Sequence, residues 1–134
     1  MWVCIAMEGK MILIFLISLW ATFLLTRLYV QTFLSPIRHP KSKILTHFLS
    51  RKLGFDIHHF HFGILVIFIS LLGFLFFSSN TIALILLGIG TSLFLDQFYI
   101  FFVKDINHFY FSLEGWILSI IPHLILSIIL IKFL

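Results

Sequence analysis

Long apolar stretches separated by short polar ones set the pattern of this chain. From Met11 to about Val30 the only polar side chains before Arg27 are the hydroxyls of Ser18, Thr22 and Thr26. A spanning helix needs about 20 mostly apolar residues, so this stretch predicts a first transmembrane helix over residues 11–30. Arg27-Leu28-Tyr29 is bulky and no small-residue cleavage motif follows, which favours a retained span over a removed signal peptide. Residues 1–10 form a short lead, with Met7 and Met11 as further candidate starting positions.

A second apolar region runs from about Phe62 through Val103, interrupted only by Ser78-Ser79-Asn80-Thr81. Four small polar residues without charge predict a tight turn between two antiparallel helices, at 60–78 and 81–103. A fourth span is predicted over 114–134, with Pro122 inside it. An interior proline removes one helical hydrogen bond and commonly kinks a helix.

The long connection between the first two spans has another character. Ser35-Pro36 and His39-Pro40 disfavour helix. Beyond them Ile44, Leu45, Phe48, Leu49 and Leu53 fall on one helical face, opposite Thr46, His47, Ser50, Arg51 and Lys52. Ser42 suits an N-cap and Gly54 a C-terminal stop. This predicts a short amphipathic helix lying in the headgroup layer. Arg38, Lys41, Lys43, Arg51 and Lys52 lie in this connection, with Arg27 beside it and Lys104 in the other loop on that side, against Lys10 and Lys132 opposite. The positive-inside rule then predicts a multi-pass protein of the cell membrane, with the long loop in the cytoplasm and both termini outside. The expected fold class is all-α membrane: one domain over 1–134, with four transmembrane helices and an amphipathic cytoplasmic helix between the first two.

Composition agrees. Of 134 residues, 61% are hydrophobic and 10% charged, with a mean hydropathy of +1.17. Soluble domains carry about 25% charged residues, and a fold this small cannot hide so much apolar surface from water. The lipid bilayer is therefore the expected solvent and partner. The net charge of +4 comes from residues flanking hydrophobic spans, which gives no basis for nucleic-acid binding. A lone Cys4 excludes an internal disulfide framework and a four-cysteine zinc site.

Candidate chemistry gathers at the predicted cytoplasmic end. Asp96 lies seven residues before the predicted span end at Val103, about 10 Å deep, and His123 lies nine residues past Glu114, about 14 Å deep. An aspartate inside a span costs at least ~2.5 kcal/mol on insertion scales and persists when it faces a partner, the protein interior or water. Asp96 is therefore the leading candidate, with pairing to Arg27 or His123 as interhelical glue the plain alternative. His58 and His61 share a helical face and His59 points away from it. With Asp96, or with Asp56 or Glu114, they would suit a divalent transition metal. Headgroup contact and proton handling remain open for the same histidines. Gly73, Gly88 and Gly90 suit close helix packing, and Ser92 and Thr91 are expected to bond their own helix. Tyr110 and Trp116 fit an interface belt, and the 104–112 loop would lie above Asp96 as a cap.

The stretch Ile57-His58-His59-Phe60-His61-Phe62-Gly63, followed by Gly88-Ile89-Gly90-Thr91-Ser92-Leu93-Phe94-Leu95-Asp96-Gln97-Phe98, resembles a group of small uncharacterised prokaryotic integral membrane proteins. These open one span with Ile-His-His and carry a glycine-rich Leu-Asp-Glu-Phe helix next. They then have an acidic, tyrosine-containing loop ending in Glu-Gly, matched here by Asp105, Tyr110 and Glu114-Gly115. Gln97 stands where those proteins often have glutamate, which weakens a two-carboxylate site.

Two functions follow as expectations. One is a polar or metal-binding site of His58, His61 and Asp96, with His59, Asp105, His108, Glu114 and His123 as further members, acting on a lipid-like substrate. The other is a non-catalytic accessory or scaffold subunit, alone as a homo-oligomer or with a membrane-protein partner. Proton or ion conduction through Asp96 and His123 would require an oligomer.

Overall fold

The computed structural model describes residues 2–34, 59–76, 81–101 and 110–133. Four helices account for most of them: α1 (Trp2–Tyr29), α2 (His59–Phe76), α3 (Thr81–Asp96) and α4 (Leu113–Ile131). A π-helical turn, Val30–Leu34, ends α1, and a 3-10 segment, Phe98–Phe101, follows α3. The predicted amphipathic helix, the Ser78–Asn80 part of the turn, His58, Asp105 and His108 lie outside the described residues.

Contacts between the helices fix their directions. Ser18 of α1 lies beside Gly88 of α3, and Arg27 beside Asp96, so α1 and α3 run parallel. Gly63 meets Gly90 and Ser70 meets Ala83, so α2 and α3 are antiparallel. Trp20 reaches Ser127 and Arg27 reaches Ser119, which sets α4 antiparallel to α1. The bundle is therefore up-down-up-down. α3 is central and packs on α1, α2 and α4.

Glycine makes this central position accessible. A Cβ on Gly90 would stand 2.8 Å from the Gly63 carbonyl oxygen and from the Ile67 nitrogen, and one on Gly88 would stand 2.8 Å from the Phe15 carbonyl oxygen. Gly88 thus admits α1 and Gly90 admits α2, on two faces of one helix. Without a hydrophobic force between helices in lipid, such backbone approach is the main source of attraction.

Three helical segments are long and apolar enough to cross a membrane: Gly9–Thr32, His59–Phe76 and Leu113–Ile131. α3, at 16 residues, is shorter. Of the predicted span of 81–103, the α-helical part stops at Asp96 and a 3-10 turn follows. Phe98-Tyr99-Ile100-Phe101 is aromatic and β-branched, a poor helix-forming run, and the Asp96 carbonyl is taken by groups from other helices. α1 departs in the other direction and starts at Trp2, well before Met11. Pro122 sits inside α4 without ending it.

The interior combines an apolar cluster on α1 (Phe15, Leu16, Leu19 and Phe23) with an unusual share of polar groups, while the exterior is large and apolar. Arg27, Ser70, Ser92, Asp96, Ser119 and His123 are fully or almost fully buried, while leucines, isoleucines and phenylalanines cover the outside of all four helices. That distribution suits a lipid solvent.

Candidate functional site

The polar interior begins at the end of the bundle where α1 and α3 finish and α2 and α4 start. α3 places Asp96 as its last residue, with no exposed surface, and α1 places Arg27 two residues before its own end, also with none. Arg27 Nε donates to Asp96 Oδ1 at 2.5 Å. The second carboxylate oxygen accepts from the Tyr110 hydroxyl at 2.7 Å and lies 2.8 Å from His59 Nε2. A carboxylate can only accept, so the bonded His59 nitrogen carries a proton.

The rest of the guanidinium is spent on backbone. Nη1 donates to the Tyr110 carbonyl at 2.8 Å. Nη2 faces the Asp96 carbonyl at 3.4 Å, the Gly115 carbonyl at 3.2 Å and the Ser119 hydroxyl. The Ser119 hydroxyl in turn lies 2.7 Å from the Asp96 carbonyl and 2.9 Å from that of Gly115. The last carbonyls of a helix have no partner within it. Arg27 and Ser119 supply one for α3 from neighbouring helices, and the cation sits at the negative end of the α3 dipole. The rings of Tyr110, Trp116 and Phe23 surround the guanidinium, with centroids 4.1, 5.3 and 5.9 Å from its central carbon.

The same end of α3 also holds the start of α2. Asp96 bonds the first residue of α2, His59, and Gln97 Oε1 accepts from the Phe60 N–H at 3.4 Å. A carboxylate beside the first turn of a helix is favourably placed against its dipole. α4 is capped within itself, by the Ser112 hydroxyl accepting from Gly115 N–H at 3.1 Å. Tyr110 precedes α4. Its burial, reinforced by the Asp96 charge, pushes the phenol well above its ordinary range, so it stays a donor.

One helical turn further in, α4 presents His123. Its Nδ1 lies 2.7 Å from the Ser119 carbonyl, which can only accept, so Nδ1 carries the proton and Nε2 accepts from the Ser92 hydroxyl at 3.2 Å. The Ser127 hydroxyl donates to the His123 carbonyl at 2.8 Å and accepts from Trp20 Nε1 at 3.0 Å. Phe23 and Trp20 pack beside the imidazole, at 4.6 and 5.7 Å between centroids.

Several sequence expectations change here. Asp96 does meet a histidine, but it is His59, the one set on the other face from His58 and His61. The antiparallel register that pairs Gly63 with Gly90 brings residue 59, the start of α2, opposite residue 96. His61 lies on α2 with its ring against Phe60, and Glu114 is an exposed residue in the first turn of α4. Among the described residues, no group of three or more His, Cys, Asp or Glu side chains is placed to hold a metal ion. Asp96 and His123 are not level with each other: Ser119 faces Asp96, and His123 lies a turn deeper opposite Ser92. Ser92 bridges to His123, contrary to the expectation that it serves its own helix. Between Asp96 and His123 the hydrogen bonds pass through the carbonyls of Asp96 and Ser119, which accept protons' bonds but relay no proton.

Sequence reasoning missed Gly115, Ser119 and Ser127 as partners. The signal was present: with His123 they recur every fourth residue, the spacing of one helix face. No protein-family model, curated protein or solved structure matches the chain.

Proposed function

We propose that the chain is a four-span integral membrane protein acting as a non-catalytic accessory or scaffold subunit, with the Arg27–Asp96 cluster as its internal clamp. The observation that carries this reading is saturation. Both carboxylate oxygens of Asp96 and all three guanidinium nitrogens of Arg27 are engaged by groups of the chain itself. Such a network holds four helix ends together and commits the Arg27–Asp96 pair to the chain itself. α3 completes the fourth crossing because its neighbours cover it, and irregular backbone at membrane depth is tolerated where protein buries it. The basic connection between α1 and α2 favours the cytoplasmic side for this end.

The test replaces the clamp by apolar packing. Arg27→Met with Asp96→Leu removes the buried charge pair, and with it the carboxylate that orients His59, while roughly keeping side-chain volume. Membranes carrying the double variant, crosslinked and solubilised gently, are expected to retain a complex of the wild-type mass, whether with a second copy or another membrane protein. A folded double variant that loses the protein's cellular role would overturn the reading in favour of chemistry at the cluster.

A second reading has one observation in its favour: His59 is partly exposed at the rim, with 23% of its side chain accessible, and is oriented by Asp96. A carboxylate-oriented imidazole at a membrane boundary suits acid–base work on a lipid-like substrate. A divalent transition metal would enter this version through His58 or His61. Under it, His59→Gln abolishes function without loss of stability, and metal content falls with His58→Ala or Asp96→Asn. The stretches that carry the resemblance to small prokaryotic membrane proteins supply Gly63, Gly90, His59 and Asp96. The same α2–α3 clasp is therefore expected in those proteins.

A further inference from the structure

Toward the end of the bundle away from Arg27, the seam between α2 and α3 opens into a notch of about 320 Å³. Ile69, Leu72 and Phe76 of α2 form one wall, and Ile82 and Leu86 of α3 form the other. Two small residues, Gly73 and Ala83, make its floor, where a Cβ on Gly73 would meet the Ala83 methyl at 3.3 Å. The sequence thus sets two positions of little bulk opposite each other, and the notch is the volume that larger side chains would have filled. Every lining residue among those described is apolar. The neighbouring Ser70 hydroxyl is turned to the Ala83 carbonyl at 2.6 Å.

Size and chemistry select the occupant. An apolar cavity of about 150 Å³ holds benzene, so this notch takes several carbons of a hydrocarbon chain. It follows α2 for only two turns, from Ile69 to Phe76, about 10 Å. A crossing helix is about 10–12 Å across with its side chains, too broad to seat there. Helices in lipid join through small residues or polar side chains. Here the small residues are already engaged within the chain: Gly63 with Gly90, Gly88 with α1, and Gly73 with Ala83. A hydrocarbon chain needs neither device. Apolar surface gains nothing by leaving lipid, so dispersion contact is what holds the chain. In the notch that contact comes from floor and both walls, whereas a lipid on an open helix face touches protein on one side.

We infer that the notch is a binding site for an acyl chain of one membrane lipid. It lies beside the turn between α2 and α3, where Ser78-Ser79-Asn80 carries no charge. The part of the chain nearest the head group therefore occupies it, and the charge of the head group is not selected. The site is separate from the Arg27 clamp and rests only on α2 and α3 lying in a bilayer.

The experiment reconstitutes the full chain with phosphatidylcholine or phosphatidylglycerol carrying a diazirine either near the carboxyl end of one acyl chain or at its terminal methyl. Photolabelling and peptide mapping are expected to mark residues 69–86 several-fold more from the first probe than from the second, alike for both head groups. Native mass spectrometry of the gently solubilised protein should show one retained lipid. Gly73→Leu fills the notch from its floor and Leu72→Trp from its rim, and each should lose that lipid and that labelling. Leu75→Trp, at an exposed position outside the notch, should keep both. If one filled variant fails to fold, the other decides. A wild-type protein that retains no lipid, retention unchanged by filling the notch, or retention of phosphatidylglycerol alone would each overturn the inference, as would a copurifying protein crosslinked at these residues.

Discussion

Replacing Asp96 by leucine would leave Arg27 buried against Tyr110, Trp116 and Phe23 with its charge uncompensated, and would strand the Tyr110 hydroxyl and His59. Removing one partner of a buried ion pair typically costs about 3–5 kcal/mol. Two of the lost bonds here involve Arg27 Nε and Tyr110 Oη at 2.5 and 2.7 Å, and bonds to charged groups contribute about 1.5–3 kcal/mol each. The upper half of the range is therefore expected. Arg27→Met alone strands the carboxylate and also uncaps the α3 and Tyr110 carbonyls, for a similar cost. The double variant removes both charges together, leaving the uncapped carbonyls and the Tyr110 hydroxyl without partners, at about 1–3 kcal/mol each. A double-mutant cycle by reversible unfolding in bicelles should then give a coupling of about 2–3 kcal/mol or more. Additivity of the two single variants within about 0.5 kcal/mol would refute the clamp, as would an Asp96→Leu protein of wild-type stability.

Glycine positions offer a graded comparison. Gly90→Ala and Gly88→Ala force backbones apart and should each destabilise by about 1–3 kcal/mol, whereas a Cβ on Gly73 meets only the Ala83 methyl at 3.3 Å and Gly73→Ala should stay within about 1 kcal/mol of wild type; the same unfolding assay ranks them. Tyr110→Phe deletes one donor to Asp96 and is expected to cost about 1–3 kcal/mol, less than Asp96→Leu measured alongside it. Ser127→Ala removes the acceptor of the Trp20 indole, so a shift in the Trp20 emission maximum should follow, measured with Trp2 and Trp116 replaced by phenylalanine.

Much of the architecture was legible because lipid simplifies the code. Apolar length alone located α1, α2 and α4, and the polar interruption at 78–81 located the hairpin. The limits of α3 were not legible. The run from Leu93 to Val103 is uniformly apolar apart from Asp96 and Gln97, and hydropathy does not register that Arg27 and Ser119 cap a helix end from other segments. Asp96 stood out because a lone carboxylate in a span is costly, and Arg27 was a foreseeable partner. His59 was not, since pairing it with Asp96 depends on where α2 begins and on the register set by Gly63 against Gly90. Neither is visible in the spacing of three histidines. The serines of α4 went unread because a hydroxyl can satisfy itself on its own helix, so its presence in a span carries little information until a neighbouring helix is seen.

A clamp made from the first and third helices has a consequence for how the chain comes together. α1 enters the membrane carrying Arg27, and nothing within α1 satisfies the guanidinium: the groups that receive it belong to α3, the segment at Tyr110, and α4. α2 in turn gains its first-turn partners only from Asp96 and Gln97. α2 and α3 therefore each begin or end on a group that another helix must deliver, and α1 carries a charge that other segments must receive. Polar bonds between membrane helices average under about 1 kcal/mol each, so no single contact holds the bundle. What distinguishes this cluster is that its bonds converge on one carboxylate and one guanidinium, so that all four helices share the penalty if either is left exposed. That convergence favours one arrangement over its near alternatives, including a slipped α2 or an α3 continued to Val103, each of which would strand a charge in a medium without water.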